Sequence, residues 1–157
     1  MNIAFELNGE PTTVNVRPDR TVRSVLREEC GEKSVKSGCD SGRCGSCTVL
    51  VDGDAVKSCL VLAGKIDGRS VVTAAGIGET DLGNDVRAAF EDHAALQCGY
   101  CTPGFVVTVQ DFLEGADSPN RAEIKSAIEG NVCRCTGYER ILDAVEDLSN
   151  RDASGGQ

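Results

Sequence analysis

The sequence predicts an α+β chain in two halves: a small mixed sheet carrying one helix, then four helices. Apolar residues in the first half follow the alternation of strands, punctuated by the hairpin signals Asn8-Gly9 and Asp52-Gly53. In the second half, from Leu82 onward, the apolar spacing changes to that of helices. There Pro103 and Pro119 sit where a first helical turn would tolerate proline.

Ile3 to Leu7 reads as the first strand, and Thr13 to Val16 as its return. Thr21 is placed to cap a short helix whose buried face carries Val22, Val25, Leu26 and Cys30. A glycine- and cysteine-rich loop spans Gly38 to Cys47. Thr48 to Val51 is a β-branched, apolar strand, Ala55 to Leu62 runs back from the Asp52-Gly53 turn, and Ser70 to Thr73 adds one more strand.

Leu82, Val86, Ala89, Phe90 and His93 fit one face of a helix. Pro103 opens the next helix, which continues through Phe105, Val106, Val109, Phe112 and Leu113. Ser118-Pro119 predicts a cap followed by proline at the first position of a third helix, marked by Ile124, Ala127 and Ile128. Thr136-Gly137-Tyr138-Glu139 has the form of a capping box for the last helix, with its apolar stripe at Ile141, Leu142, Val145 and Leu148. The division falls near Ala75 to Thr80, giving domains at residues 1–76 and 77–149. The polar, Gly-rich tail at 150–157 reads as disordered.

Composition bounds the chemistry. Hydrophobic residues make up 40% of the 157, but aromatics only 4%, and Trp is absent. Two small domains with thin cores need staples, either disulfides or metals. Nine cysteines are available, an odd number for a disulfide framework. The segment Met1 to Glu6 lacks the basic and apolar regions of a signal peptide, and no apolar run is long enough to span a bilayer. A cytoplasmic location follows as the expectation, and there paired cysteines serve as metal ligands or redox groups. A net charge of −9 disfavours nucleic acid and anionic membrane as partners.

Cys39, Cys44, Cys47 and Cys59 form C-x4-C-x2-C…C, the leading spacing of plant-type [2Fe–2S] ferredoxins. Four thiolates and two sulfides outweigh the iron charge, so such a cluster is anionic and calls for inward backbone N–H groups. Gly38, Gly42 and Gly45 would let the loop wrap closely and adopt positive φ. A structural zinc site also takes four thiolates, but usually from two short-spaced pairs. The second set is Cys98-x2-Cys101 with Cys133-x-Cys135. Each pair precedes an expected helix start, so two helix N-termini would favour an anion between them. Taken alone, this set also admits zinc or copper.

Cys30 reads as a core cysteine. His93, the only histidine, reads as a packed or capping residue with a lesser chance of tuning a nearby cluster. The sequence holds no paired carboxylates, nucleophile–base set or phosphate loop that would make this chain catalytic alone.

The stretches Gly38-Cys39-Asp40-Ser41-Gly42-Arg43-Cys44-Gly45-Ser46-Cys47, Ser58-Cys59-Leu60, Gln97-Cys98-Gly99-Tyr100-Cys101-Thr102-Pro103-Gly104 and Gly130 to Tyr138 resemble the small iron–sulfur subunit of the xanthine dehydrogenase / aldehyde oxidoreductase / aerobic carbon monoxide dehydrogenase family. The resemblance covers about residues 1 to 148, nearly the whole chain. It implies a β-grasp ferredoxin-like domain followed by a four-helix bundle, each carrying one [2Fe–2S] cluster. The ligands would be Cys39, Cys44, Cys47 and Cys59 for the first cluster, and Cys98, Cys101, Cys133 and Cys135 for the second. It further implies that Gln97 and Cys135 touch a molybdopterin cofactor. Electrons would pass from a large molybdopterin-binding subunit to a medium FAD-binding subunit or an external acceptor. With only two domains in the sequence, flavin and molybdenum are expected on separate subunits. A free-standing ferredoxin-like carrier and a zinc-stapled adaptor are the rival readings, and the substrate of the complex is not encoded here.

Overall fold

A computed structural model of the chain describes residues 1–154. The first half contains β1 (Asn2–Leu7), β2 (Glu10–Asn15), α1 (Val22–Glu28), β3 (Thr48–Val51), β4 (Asp54–Lys57) and β5 (Ser70–Val72), with a 3-10 turn at Ala63–Ile66. The second half contains α2 (Ala74–Ile77), α3 (Asp81–Asp92), α4 (Thr102–Gly115), α5 (Arg121–Ile128) and α6 (Glu139–Ser154). The sheet order is β2-β1-β5-β3-β4, with β1 parallel to β5 and the other pairs antiparallel. This is the expected small mixed sheet, crossed by α1 in the β-grasp manner and followed by a helical domain.

Both hairpins turn on left-handed residues: Asn8 and Gly9 at φ 51° and 86°, Asp52 and Gly53 at φ 51° and 94°. Two positive φ values in a row match the twist of the flanking strands. Thr21 caps α1, its hydroxyl accepting from Ser24 N–H at 3.3 Å. Val22, Val25 and Leu26 are fully buried and join Ile3, Phe5, Val49 and Val71 in the first core.

The strand β3 is buried along its whole length because both of its faces are covered. Val49 and Val51 face the first core, whereas Leu50 enters the second with Phe105 and Val109 of α4. Successive side chains of a strand point to opposite faces, so one strand serves as a wall for both halves. Val86, Ala89 and Phe90 of α3, Ile124 and Ile128 of α5, and Ile141, Leu142, Val145 and Leu148 of α6 complete the second core. Each Val, Leu, Ile or Phe side chain among these contributes about 1.5–3 kcal/mol by its burial.

Several elements depart from expectation. Cys30 lies past the end of α1 and is only half-buried. The strand returning from Asp52-Gly53 stops at Lys57 rather than Leu62, because Ser58 and Cys59 turn toward the cysteine loop, with the Ser58 hydroxyl donating to Cys47 O at 2.6 Å. The short α2 occupies the expected division. Asn120, not Ser118, caps α5: its side chain accepts from Ala122 and Glu123 N–H, and Glu123 returns a bond to Asn120 N–H. The last helix continues through Ser154, so residues 150–154 extend α6 instead of forming a disordered tail, and the remainder of that tail lies outside the described residues.

Candidate functional site

The loop between α1 and β3 presents Cys39 exposed, Cys44 half-buried and Cys47 buried, with buried Cys59 brought up from beyond β4. Three backbone N–H groups converge on the Cys39 sulfur: Ser41 at 3.5 Å, Arg43 at 3.3 Å and Cys44 at 3.3 Å. The N–H of Ser41 and then that of Cys44 bring the Cys39 thiol down to about 6. Positive φ at Asp40, Gly42 and Gly45 bends the loop so that these groups point inward. Gly38 keeps an ordinary φ, contrary to expectation, and serves by its size: a Cβ there would lie 2.7 Å from Cys44 Sγ. Burial, followed by the neighbouring Cys47, pushes Cys59 up to about 11.

In the second half, Cys98 and Cys135 are exposed, Cys101 is half-buried and Cys133 is buried. The sulfurs of Cys98 and Cys135 lie 3.6 Å apart, so the two pairs meet. Cys101 is the N-cap of α4, as expected. The expected capping box at Thr136 does not form, and α6 begins only at Glu139. Thr136 turns its hydroxyl and its N–H to Cys133 Sγ instead, at 3.1 and 3.4 Å. One helix N-terminus, that of α4, therefore opens beside this set. Burial alone would raise Cys133, but the Thr136 hydroxyl and N–H and the Cys135 N–H outweigh it and lower the thiol. Cys101 is pushed up to about 12, by burial first and then by Cys133.

The donor chemistry fits an iron–sulfur centre at each set. N–H and O–H groups aimed at sulfur stabilise thiolate where an anionic group would sit. The high-lying thiols of buried Cys59 and half-buried Cys101 lose their protons readily only to a bound cation.

The structure brings the two sets together. A cleft of about 490 Å³ is bordered by Cys39 and Cys44 of the first set and by all four cysteines of the second. Gln97 lies on the exposed rim of the second set and donates to Cys135 O at 3.0 Å. His93 is the C-cap of α3 and pairs with Asp147 of α6 at 3.2 Å, which is the capping role rather than a cluster-tuning one. Sequence reasoning missed Thr136, the Cys133 N–H bond to the Tyr138 hydroxyl (2.9 Å), and the Tyr100 hydroxyl bond to Ser37 O (2.7 Å). The proximity of Thr136 and Tyr138 to the C-x-C pair was the only available signal. No helix among the described residues is long and apolar enough to cross a membrane.

Two family models match the chain in tandem: a 2Fe-2S iron-sulfur cluster binding domain over residues 5–75 and a [2Fe-2S] binding domain over residues 73–146. The chain is 44% identical to the nicotine 6-hydroxylase small subunit of Paenarthrobacter nicotinovorans, across 94% of this chain and 88% of that one. It is 40% identical to the nicotinate dehydrogenase small FeS subunit of Eubacterium barkeri, with 98% of each covered. Among solved structures, quinoline 2-oxidoreductase from Pseudomonas putida 86 contains a chain that matches with a TM-score of 0.91 at 40% identity, over 99% of this chain and 97% of that one.

Proposed function

The chain belongs to the family of small iron–sulfur subunits of molybdenum hydroxylases, the group of nicotinate dehydrogenase, xanthine dehydrogenase and aldehyde oxidoreductase, and we propose on that premise how it works within such an oxidoreductase. It is an electron-transfer subunit, conveying electrons from a molybdopterin site on a large partner toward FAD on a medium partner or an external acceptor. Cys39, Cys44, Cys47 and Cys59 would hold one cluster, and Cys98, Cys101, Cys133 and Cys135 the other. A bound [2Fe–2S] cluster accepts and gives up one electron at a time. Residues 1–76 and 77–149 are taken as the two domains, and the cytoplasm as the location.

The observation that carries this reading is the shared cleft, because a relay needs its two sites side by side and here cysteines of both sets border one space. The chain's own residues do the rest. Backbone N–H groups and the Thr136 hydroxyl hold negative charge on sulfur, while Cys47, Cys59 and Cys133 are kept from water by the cores. Gln97 and Cys135 form one exposed polar edge, suited to a molybdopterin held by the large partner.

Large apolar side chains stand exposed beside the ligands. Leu60 (64%) and Leu62 (51%) follow Cys59, and Leu96, Tyr100 and Val132 flank the second set. Apolar surface gathered around redox ligands favours a permanent partner over a free-standing carrier.

Iron, acid-labile sulfide and zinc measured together on anaerobically purified protein test the assignment. About four iron and four sulfide per chain are expected from two [2Fe–2S] clusters. Zinc without sulfide would reject it in favour of a zinc-stapled adaptor.

A further inference from the structure

Arg23 lies in the first turn of α1, and its side chain reaches across to the cysteine loop. Its Nη1 bonds to the Ser37 hydroxyl and lies 3.0 Å from Asp40 Oδ1. The Ser37 hydroxyl in turn donates to the same Asp40 oxygen at 2.8 Å. The Arg23 side chain is only 18% exposed, and its Nε is buried with no hydrogen-bond partner. Desolvating a cation and leaving one donor unsatisfied is costly, and a mere surface tie would not require it.

What the arrangement does follows from its place. Asp40 directly follows Cys39 and holds a left-handed φ of 55°, a region that Asp enters more readily than most side chains. Its carboxylate adds negative charge beside a ligand sulfur that already gathers three N–H donors. Arg23 fixes that turn and cancels that charge. The Tyr100 hydroxyl donates to Ser37 O at 2.7 Å, so the same segment is anchored from both halves of the chain.

We propose that Arg23 is the positioning residue of the Cys39 loop and that the Arg23–Asp40 pair sets the redox poise of the cluster held there. This rests on the assignment of Cys39, Cys44, Cys47 and Cys59 as its ligands. One electron, supplied in the test by dithionite, reduces one ferric ion to ferrous at this site. No bond forms or breaks, and the site gains one negative charge. A neighbouring cation favours that gain, and a neighbouring carboxylate opposes it.

The test is an EPR-monitored redox titration of the full chain as wild type, Arg23→Gln, Arg23→Lys and Asp40→Asn, with iron and sulfide counted in each sample. A Cys44→Ala protein identifies the signal of the first site by its loss. At a fixed potential, Arg23→Gln is expected to lower the reduced-to-oxidised ratio of that signal by about threefold or more, which is ~28 mV at 59 mV per decade for one electron. Asp40→Asn raises the ratio, and Arg23→Lys restores it. If Arg23→Gln sheds the iron of the first site while Arg23→Lys keeps it, the positioning role stands and Asp40→Asn alone decides the effect of charge. Intact clusters with no shift, or with both variants moving the same way, overturn the inference. A wild-type chain lacking iron and sulfide at this set overturns the ligand assignment itself.

Discussion

The backbone N–H of Val132 donates to the carbonyl oxygen of Cys44 across 2.9 Å. Cys44 belongs to the first cysteine set, and Val132 directly precedes Cys133 of the second. A covalent path interrupted by a single hydrogen bond therefore joins a sulfur of one set to a sulfur of the other. The neighbouring peptides reinforce it, since the buried Asn131 amide donates to Gly45 O at 3.3 Å. The first turn of α4 closes on the same carbonyl, because a Cβ at Gly104 would lie 2.3 Å from Gly45 O. The halves meet backbone to backbone at the cysteine loops, where neither side can yield as a flexible side chain would.

Gly104→Ala tests that contact. The added methyl has to push two backbones apart, and overpacking of this kind costs about 1–3 kcal/mol. A fall of that size in unfolding free energy is expected, read as a lower denaturant midpoint with the slope unchanged. Gly115, at the far end of the same helix, meets nothing within 4 Å. Gly115→Ala is expected to be neutral or stabilising by up to about 1 kcal/mol. Equal effects from the two substitutions would mean that the contact at Gly45 carries no strain.

Much of this was legible in the sequence. Cysteine spacing gave both candidate sets, because four sulfurs on one small centre leave little freedom of spacing. Thr21, Asn8-Gly9 and Asp52-Gly53 act through local geometry, and each does what its residue type suggests. The capping box at Thr136 and the long return strand were local patterns overridden by the cysteine sets. Thr136 and Glu139 have the spacing of a capping box, but the hydroxyl is claimed by the Cys133 sulfur and the helix starts later. The strand expected to reach Leu62 ends at Lys57, where Cys59 is drawn toward its set. Arg23 gave no signal, since its role depends on a loop that folds back onto α1.

The Thr136 hydroxyl offers a probe of the second site alone. Thr136→Val preserves the shape of the side chain and deletes the O–H donor to Cys133. Donors to ligand sulfur favour the more negative, reduced state. The midpoint of the second cluster should fall in Thr136→Val and recover in Thr136→Ser, while that of the first stays in place. An unmoved second midpoint would show that this hydroxyl tunes nothing.

Asp147 on α6 links stability to acid pH. Its carboxyl is held below the usual carboxylate range by the hydrogen bond from His93 and then by Arg151, at 3.2 and 2.6 Å. A carboxylate whose folded pKa is depressed stabilises the fold above its unfolded value of about 3.9, and that contribution is lost as pH falls through the folded value. Thermal unfolding from about pH 5 downward should therefore show a shallower acid loss in Asp147→Asn than in wild type. Parallel curves would mean that the His93–Asp147–Arg151 link does not bear on stability.

The two sites should also differ in how readily they lose metal. Two of the four cysteines in the second set, Cys98 and Cys135, are exposed, against Cys39 alone in the first. The first set is further enclosed by the sheet core, which contains Cys47 and Cys59. A chelator has to reach iron through sulfur edges open to solvent, so the isolated chain should release iron from the second site first. Loss of about half the iron in a fast phase, with the EPR signal of the second site vanishing alongside, is the expected course. In the assembled complex, a partner covering the Gln97 and Cys135 edge should abolish the fast phase. If the fast phase persisted in the complex, that edge would be open to solvent there, and its proposed contact with a molybdopterin on the large partner would be wrong.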